Sequence, residues 1–299
     1  MDNLVDEIIK GRKTFFIAPD RSLLPQGLLE ECLTMGYECY FIDNDIFLSI
    51  ETKVEIILSI FKDSILFFNI DFRIPNLNWA QFIQQMHVKY PEALFGVLYA
   101  KRQSPAERTA IERQYLYTIG IQCGCIQVEY QKKNNFDIIE KVLWANQAMG
   151  RRKNVRAVCT SSCNFQLVTD AKEGLSGKLS DISISHFSFC VDENALTLAE
   201  YEKVHDVALS IKGLHIRSDA VLYMTRKTDA GKLFVFAFVS KSGQSGLDPL
   251  NKQLLIPKLY EIMSENCNDL LDKLFNAASR KSSSSSGIVE LEALDRNEL

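Results

Sequence analysis

The spacing of apolar residues changes character once along this chain, after Arg156. Upstream, continuous apolar runs alternate with stretches of helical period. Thr14 to Ala18, Tyr37 to Ile42, Ser64 to Ile70, Leu94 to Tyr99 and Cys123 to Glu129 read as buried strands. Leu23 to Met35, Ile50 to Phe61, Trp79 to Tyr90, Pro105 to Ile119 and Phe136 to Met149 read as helices, the first closed by Gly36. Strands that are apolar at every position need cover on both faces. The alternation therefore predicts a parallel sheet between helices, wound by right-handed crossovers into a flavodoxin-like doubly wound layer.

Downstream the segments are shorter, β-rich and punctuated by turn signals such as Asp229-Ala230-Gly231. Ala157 to Val168, Gly177 to Ile182, Phe187 to Val191, Val207 to Ile211, Ala220 to Thr225 and Leu233 to Val239 predict an antiparallel six-stranded β-barrel. Alternation through Ser180 to His186 puts Asp181, Ser183 and Ser185 on one strand face, expected to look outward. Leu254 to Phe275 predicts a terminal helix, interrupted near its start by Pro257, whose stripe of Leu259, Ile262, Met263, Leu270, Leu271 and Leu274 is expected to pack on the barrel. The run Ser282 to Ser286 marks a disordered tail. The expected fold class is α/β followed by all-β, with domains over residues 1–148 and 149–278 and a tail over 279–299.

With 299 residues, both domains can bury a core of their own. A net charge of −4 argues against nucleic-acid polymers as partners, because non-specific binding needs many phosphates neutralised by Lys and Arg. A small anion needs only a local cluster. The first seven residues are acidic where a secretory signal is basic, and no apolar run approaches the ~20 residues of a membrane span. The expectation is a cytoplasmic protein without membrane insertion. Eight cysteines scattered through strands and helices read as reduced thiols. Cys123-Gly124-Cys125 lies in an apolar run, and neither it nor Cys159 with Cys163 has histidine company at zinc-ligand spacing, so no metal is expected.

The candidate chemistry sits at the change of texture. Arg151-Arg152-Lys153-Asn154-Val155-Arg156 is followed by Asp181-Ile182-Ser183-Ile184-Ser185-His186. Guanidinium groups offer a charged fork of donors that suits phosphate and the edge of guanine, and a carboxylate and a hydroxyl supply what a fork lacks. Either motif alone is commonplace, a solvated basic linker or a plain turn. Their order and spacing, Arg152-x-x-x-Arg156 and then Asp181-x-Ser183, resemble the PilZ family of bacterial cyclic di-GMP receptors, over roughly residues 148 to 276. The resemblance implies that Arg151, Arg152 and Arg156 enter the first barrel strand and close over the ligand, while Asp181 and Ser183 read guanine and phosphate. One position departs, since His186 stands where the family has glycine. Its side chain would crowd the pocket or donate to a phosphate. Cyclic di-GMP is implied as a ligand, not a cofactor, with an unidentified protein partner, a monomer or weak dimer, and control of motility, adhesion or virulence.

The first half resembles a degenerate response-regulator receiver domain. Asp71-Phe72-Arg73-Ile74-Pro75 follows the third strand as that family's phosphorylatable aspartate does, and Asp20 follows the first. Pro19, Tyr99-Ala100 and Val128-Glu129-Tyr130 stand where receivers carry a second acid, a hydroxyl and a lysine, so magnesium and the phosphoryl charge lack their partners. No G-x-G-x-x-G or phosphate-binding P-loop occurs. Enzymatic function is not expected, because His87, His186, His205 and His215 show no nucleophile–base pairing in sequence. Two alternatives stay open: a phospho-accepting protein using Asp71, and a PilZ-like scaffold that binds nothing.

Overall fold

Five apolar runs of the first half pair side by side in the computed structural model, which describes residues 11–45, 47–100, 102, 104–128, 132–150, 152–168 and 174–282, the side chains of 132–134 and 279–282 excepted. Arg151 and the tail from 283 onward lie outside the described residues. Among the described residues the chain divides into two compact units, one ending at Lys153 and resuming at Cys267, the other Asn154–Asn266.

In the first unit, β1 (Thr14–Ile17), β2 (Cys39–Ile42), β3 (Ile65–Asn69), β4 (Leu94–Ala100) and β5 (Cys125–Val128) form a parallel sheet in the order β2-β1-β3-β4-β5. Every residue of β1 and β3 is buried, as strands covered on both faces require. Between and after the strands run α1 (Leu28–Met35), α2 (Ile50–Ile60), α3 (Trp79–Lys89), α4 (Pro105–Glu112) and α5 (Lys132–Ala145). Local chemistry sets their ends. Ser49 and Asn78 accept from the backbone of Thr52 and Gln81 to cap α2 and α3, and Pro105 opens α4. The first helix begins five residues later than its apolar period suggests: Asp20 caps a short 3-10 turn over Arg21–Leu23, and Pro25 and Gly27 (φ 76°) lie before Leu28. The helix predicted over Pro105 to Ile119 loosens halfway into a π-helix, Arg113–Ile119.

The second unit is one curled antiparallel sheet of eight strands, not six: β6 (Ala157–Val158), β7 (Cys163–Val168), β8 (Gly174–Lys178), β9 (Asp181–Ile182), β10 (His186–Val191), β11 (Lys203–Ile211), β12 (Leu214–Thr228) and β13 (Gly231–Val239). Their order is β6-β9-β10-β13-β12-β11-β7-β8, and β8 comes back beside β10. Two predicted strands each break in two. Ala157 to Val168 is interrupted by a turn in which Cys163 N donates to Thr160 O, and Gly177 to Ile182 bends at Leu179-Ser180, where it exchanges β7 for β10 as a partner. Stacked, buried phenylalanines contribute to the core of this unit, with Phe165 against Phe189 at 3.8 Å and Phe187 against Phe236 at 5.2 Å.

The last helix, α6 (Pro249–Ser282), contains Pro257 and is longer at both ends than its apolar stripe predicted. The stripe is buried throughout, but Leu270, Leu271 and Leu274 belong to the first unit and not to the barrel-like sheet. Among the described residues no helix is long and apolar enough to cross a membrane.

Candidate functional site

Arg156, Asp181, Ser183 and His186 all lie in the second unit, where three short elements bring them together. Arg156 immediately precedes β6, whose Val158 is paired with Asp181 of β9, and Asp181 is paired in turn with Ser188 of β10. Arg156 Nη1 stands 3.8 Å from Asp181 Oδ2, near enough for attraction but outside hydrogen-bond range. The other carboxylate oxygen, Oδ1, is buried without a hydrogen-bond donor among the described residues. A buried acceptor left unpaired is costly, and such an atom in a native structure calls for a reason.

Ser183 is not on an outward strand face. The chain leaves β9 after Ile182 and turns, with Ser183 N donating to His186 O at 2.8 Å. The hydroxyl accepts from His186 N at 3.0 Å and Ser185 N at 3.3 Å and donates to His186 O, so at 1% exposure it holds the turn together. The period of two stops counting where the strand ends, which is why alternation misplaced this residue. His186 opens β10 opposite Ala237 and is absent from the residues of positive φ, so the backbone there makes no demand for glycine.

The His186 ring lies edge-on to Tyr223 at 5.5 Å, with Nδ1 2.7 Å from Ser185 Oγ. Burial and then the charge of Arg156 hold its pKa below the ordinary 6.5, against the pull of Asp181, so it is neutral at pH 7. Ser185 Oγ also accepts from Asn154 Nδ2 at 2.8 Å. The serine–histidine contact has the distance of a nucleophile–base pair, which the sequence reading did not anticipate. Among the described residues no carboxylate hydrogen-bonds the ring to orient it. Asn154 and Tyr223 were not singled out from sequence. Tyr223 is the extra residue of a β-bulge, since Leu222 pairs with Phe236 and Met224 with Val235, and it is half-exposed. Its signal was present: Tyr223 and Met224 are consecutive large side chains where strict alternation would give one.

Arg152 belongs to the first unit; its side chain is exposed and has no ion pair among the described residues. Arg151 lies outside the described residues. In the same unit both oxygens of Asp71 are committed, Oδ1 to the Arg102 guanidinium and Oδ2 to the backbone N–H of Ala100. Asp20 is occupied in capping Ser22 N at 2.7 Å, and Lys53 in pairing with Asp43 and Asp45. Burial pushes the thiols of Cys123 and Cys125 up to about 12, as expected of sulfur in an apolar run.

No family model matches the chain, and no curated protein does. Solved structures of PilZ-domain proteins are similar to it. YcgR of Escherichia coli in complex with c-di-GMP matches at 15% identity over 46% of this chain and 52% of that one, with a TM-score of 0.30. Its isolated PilZ domain with c-di-GMP matches at 14% identity over 41% of this chain and 98% of that one, with a TM-score of 0.33. The Bacillus subtilis inhibitor of motility, MotI/DgrA, matches at 13% identity over 38% and 51%, with a TM-score of 0.32. The chain thus spans about half the length of full-length YcgR.

Proposed function

We propose that this chain is a PilZ-type receptor for cyclic di-GMP that acts through a protein partner and carries out no catalysis. The observation that carries this reading is the loose pair of Arg156 and Asp181: a guanidinium and a carboxylate 3.8 Å apart, with the second carboxylate oxygen buried and without a donor among the described residues. A guanine edge matches that pair, because O6 and N7 accept from the fork while N1–H and the exocyclic amine donate to the carboxylate. A neutral His186 and the face of Tyr223 border the same place and suit a flat base. Phosphate needs further cations, which the sequence motif supplies in Arg151 and Arg152. In this reading the ligand orders the arginine segment, and partner binding follows from that ordering.

Calorimetric titration with cyclic di-GMP, GTP and cyclic GMP is the test. Cyclic di-GMP is expected to bind best, and Arg156→Ala to remove a charged contact worth about 1.5–3 kcal/mol, roughly ten- to a hundredfold in affinity. Arg217→Ala, whose guanidinium pairs with Asp206 at the surface, is the neutral control. Absence of binding by all three nucleotides would leave the non-binding scaffold as the better description.

A further inference from the structure

Cys159 and Cys163 are not used by the proposed ligand site, yet the fold places them together. Cys159 N donates to Ser180 O at 2.9 Å, and Cys163 O accepts from Leu179 N at 3.0 Å. The two cysteines therefore face successive residues of one bent strand, while Thr160, Ser161 and Ser162 loop out between them, closed by the bond from Cys163 N to Thr160 O at 3.1 Å. Positions so held have the short backbone separation that a disulfide spans. Each thiol bears on the ionisation of the other, Cys163 being held down to about 6 and Cys159 pushed up. Cys163 is buried, but Cys159 is only partly so and gives access to small reagents.

We propose that Cys159 and Cys163 are a modification site that closes to a reversible disulfide with a hydroperoxide as the oxidant. Cys159, the sulfur that a reagent reaches, attacks one peroxide oxygen, forming an S–O bond as the O–O bond breaks, and its proton goes to the departing oxygen, which leaves as alcohol or water. The second sulfur then attacks the sulfenic sulfur, forming the S–S bond and expelling hydroxide, which leaves as water with that sulfur's proton. Two thiols and one hydroperoxide become one disulfide, one alcohol or water, and one further water. Cys32 and Cys39 are also neighbours, but both are buried, so the reagent reaches neither. The link ties the end of β6, whose Val158 faces Asp181, to the start of β7.

The test uses the full reduced chain, hydrogen peroxide, alkylation of the remaining thiols and tryptic mapping. Cleavage after Arg156 and Lys172 leaves both cysteines on one peptide. That peptide is expected to become lighter by about 2 Da, to refuse the alkylating reagent, and to take two alkyl groups after treatment with a dithiol. Cys159→Ser is expected to abolish the change; should that variant not fold, Cys163→Ala gives the same reading, and the wild-type result stands by itself. The proposal is overturned if the peptide takes two alkyl groups at a dose that oxidises Cys125 or Cys190, if it gains oxygen without losing two hydrogens, or if Cys32 and Cys39 link at the same dose.

Discussion

Ser183 and His186 separate what a residue type announces from what its position lets it do. The Asp-x-Ser spacing was legible and so was the turn chemistry of serine, but the direction of the hydroxyl was not, because it depends on the chain leaving β9 one residue earlier. With its hydroxyl bonded to two N–H groups, Ser183→Ala strands buried donors. Unfolding in urea is expected to show a loss of about 1–3 kcal/mol. An unchanged midpoint together with weakened nucleotide binding would instead make the hydroxyl a ligand contact. His186 gives a pH signature. Its pKa is lower folded than unfolded, so the unfolded chain takes the proton first. Stability is full above about pH 6.5 and declines as pH falls below it toward the folded value. His186→Gln is expected to flatten that decline in denaturation curves at pH 5 to 7.5, and a slope unaltered by the substitution would assign the titration elsewhere.

Among the elements, continuous apolar runs were easiest to read, since strands buried on both faces look alike in any parallel sheet, and all five appear close to their predicted places. Less legible were strands whose partner changes partway, such as the run from β8 to β9. Helix ends followed local chemistry, at α1 in particular. Gly36 ends that helix at φ 89° with its N–H on Cys32 and Leu33 carbonyls, and a Cβ there would come 2.7 Å from the carbonyl oxygen of Lys153. The backbone next to Arg152 thus rests against a position only glycine fills without strain. Gly36→Ala is expected to cost about 1–3 kcal/mol from the left-handed backbone alone. It also has to push Lys153 aside, so thermal melting should drop and nucleotide affinity should fall with it. Loss of stability with full affinity would show that the exact path of residues 152 and 153 is immaterial to the site.

For the molecule as a whole, the chemistry is unequally divided. The parallel-sheet unit has Asp71 closed off by Arg102 and Ala100, whereas the second unit holds in Asp181 a carboxylate oxygen without a donor among the described residues. An acceptor already holding a guanidinium and a backbone N–H has to give up both before it attacks a phosphodonor; Asp181 Oδ1, with no donor among the described residues, has none to give up to a ligand. Incubation with a small acyl phosphate is therefore expected to leave the intact mass unchanged. Cyclic di-GMP at a hundred times its dissociation constant is expected to stabilise the unit that binds it by about 2.7 kcal/mol. Because a chain of two units need not unfold in one step, the place to measure this is amide hydrogen exchange, strand by strand. Amides of β6, β9 and β10 should slow with ligand, those of β1 and β3 should not, and Arg156→Ala should erase the difference while Asp71→Asn leaves it intact. A phosphoryl adduct that disappears in Asp71→Asn, or ligand protection centred on the parallel sheet, would move the signalling chemistry into the other unit.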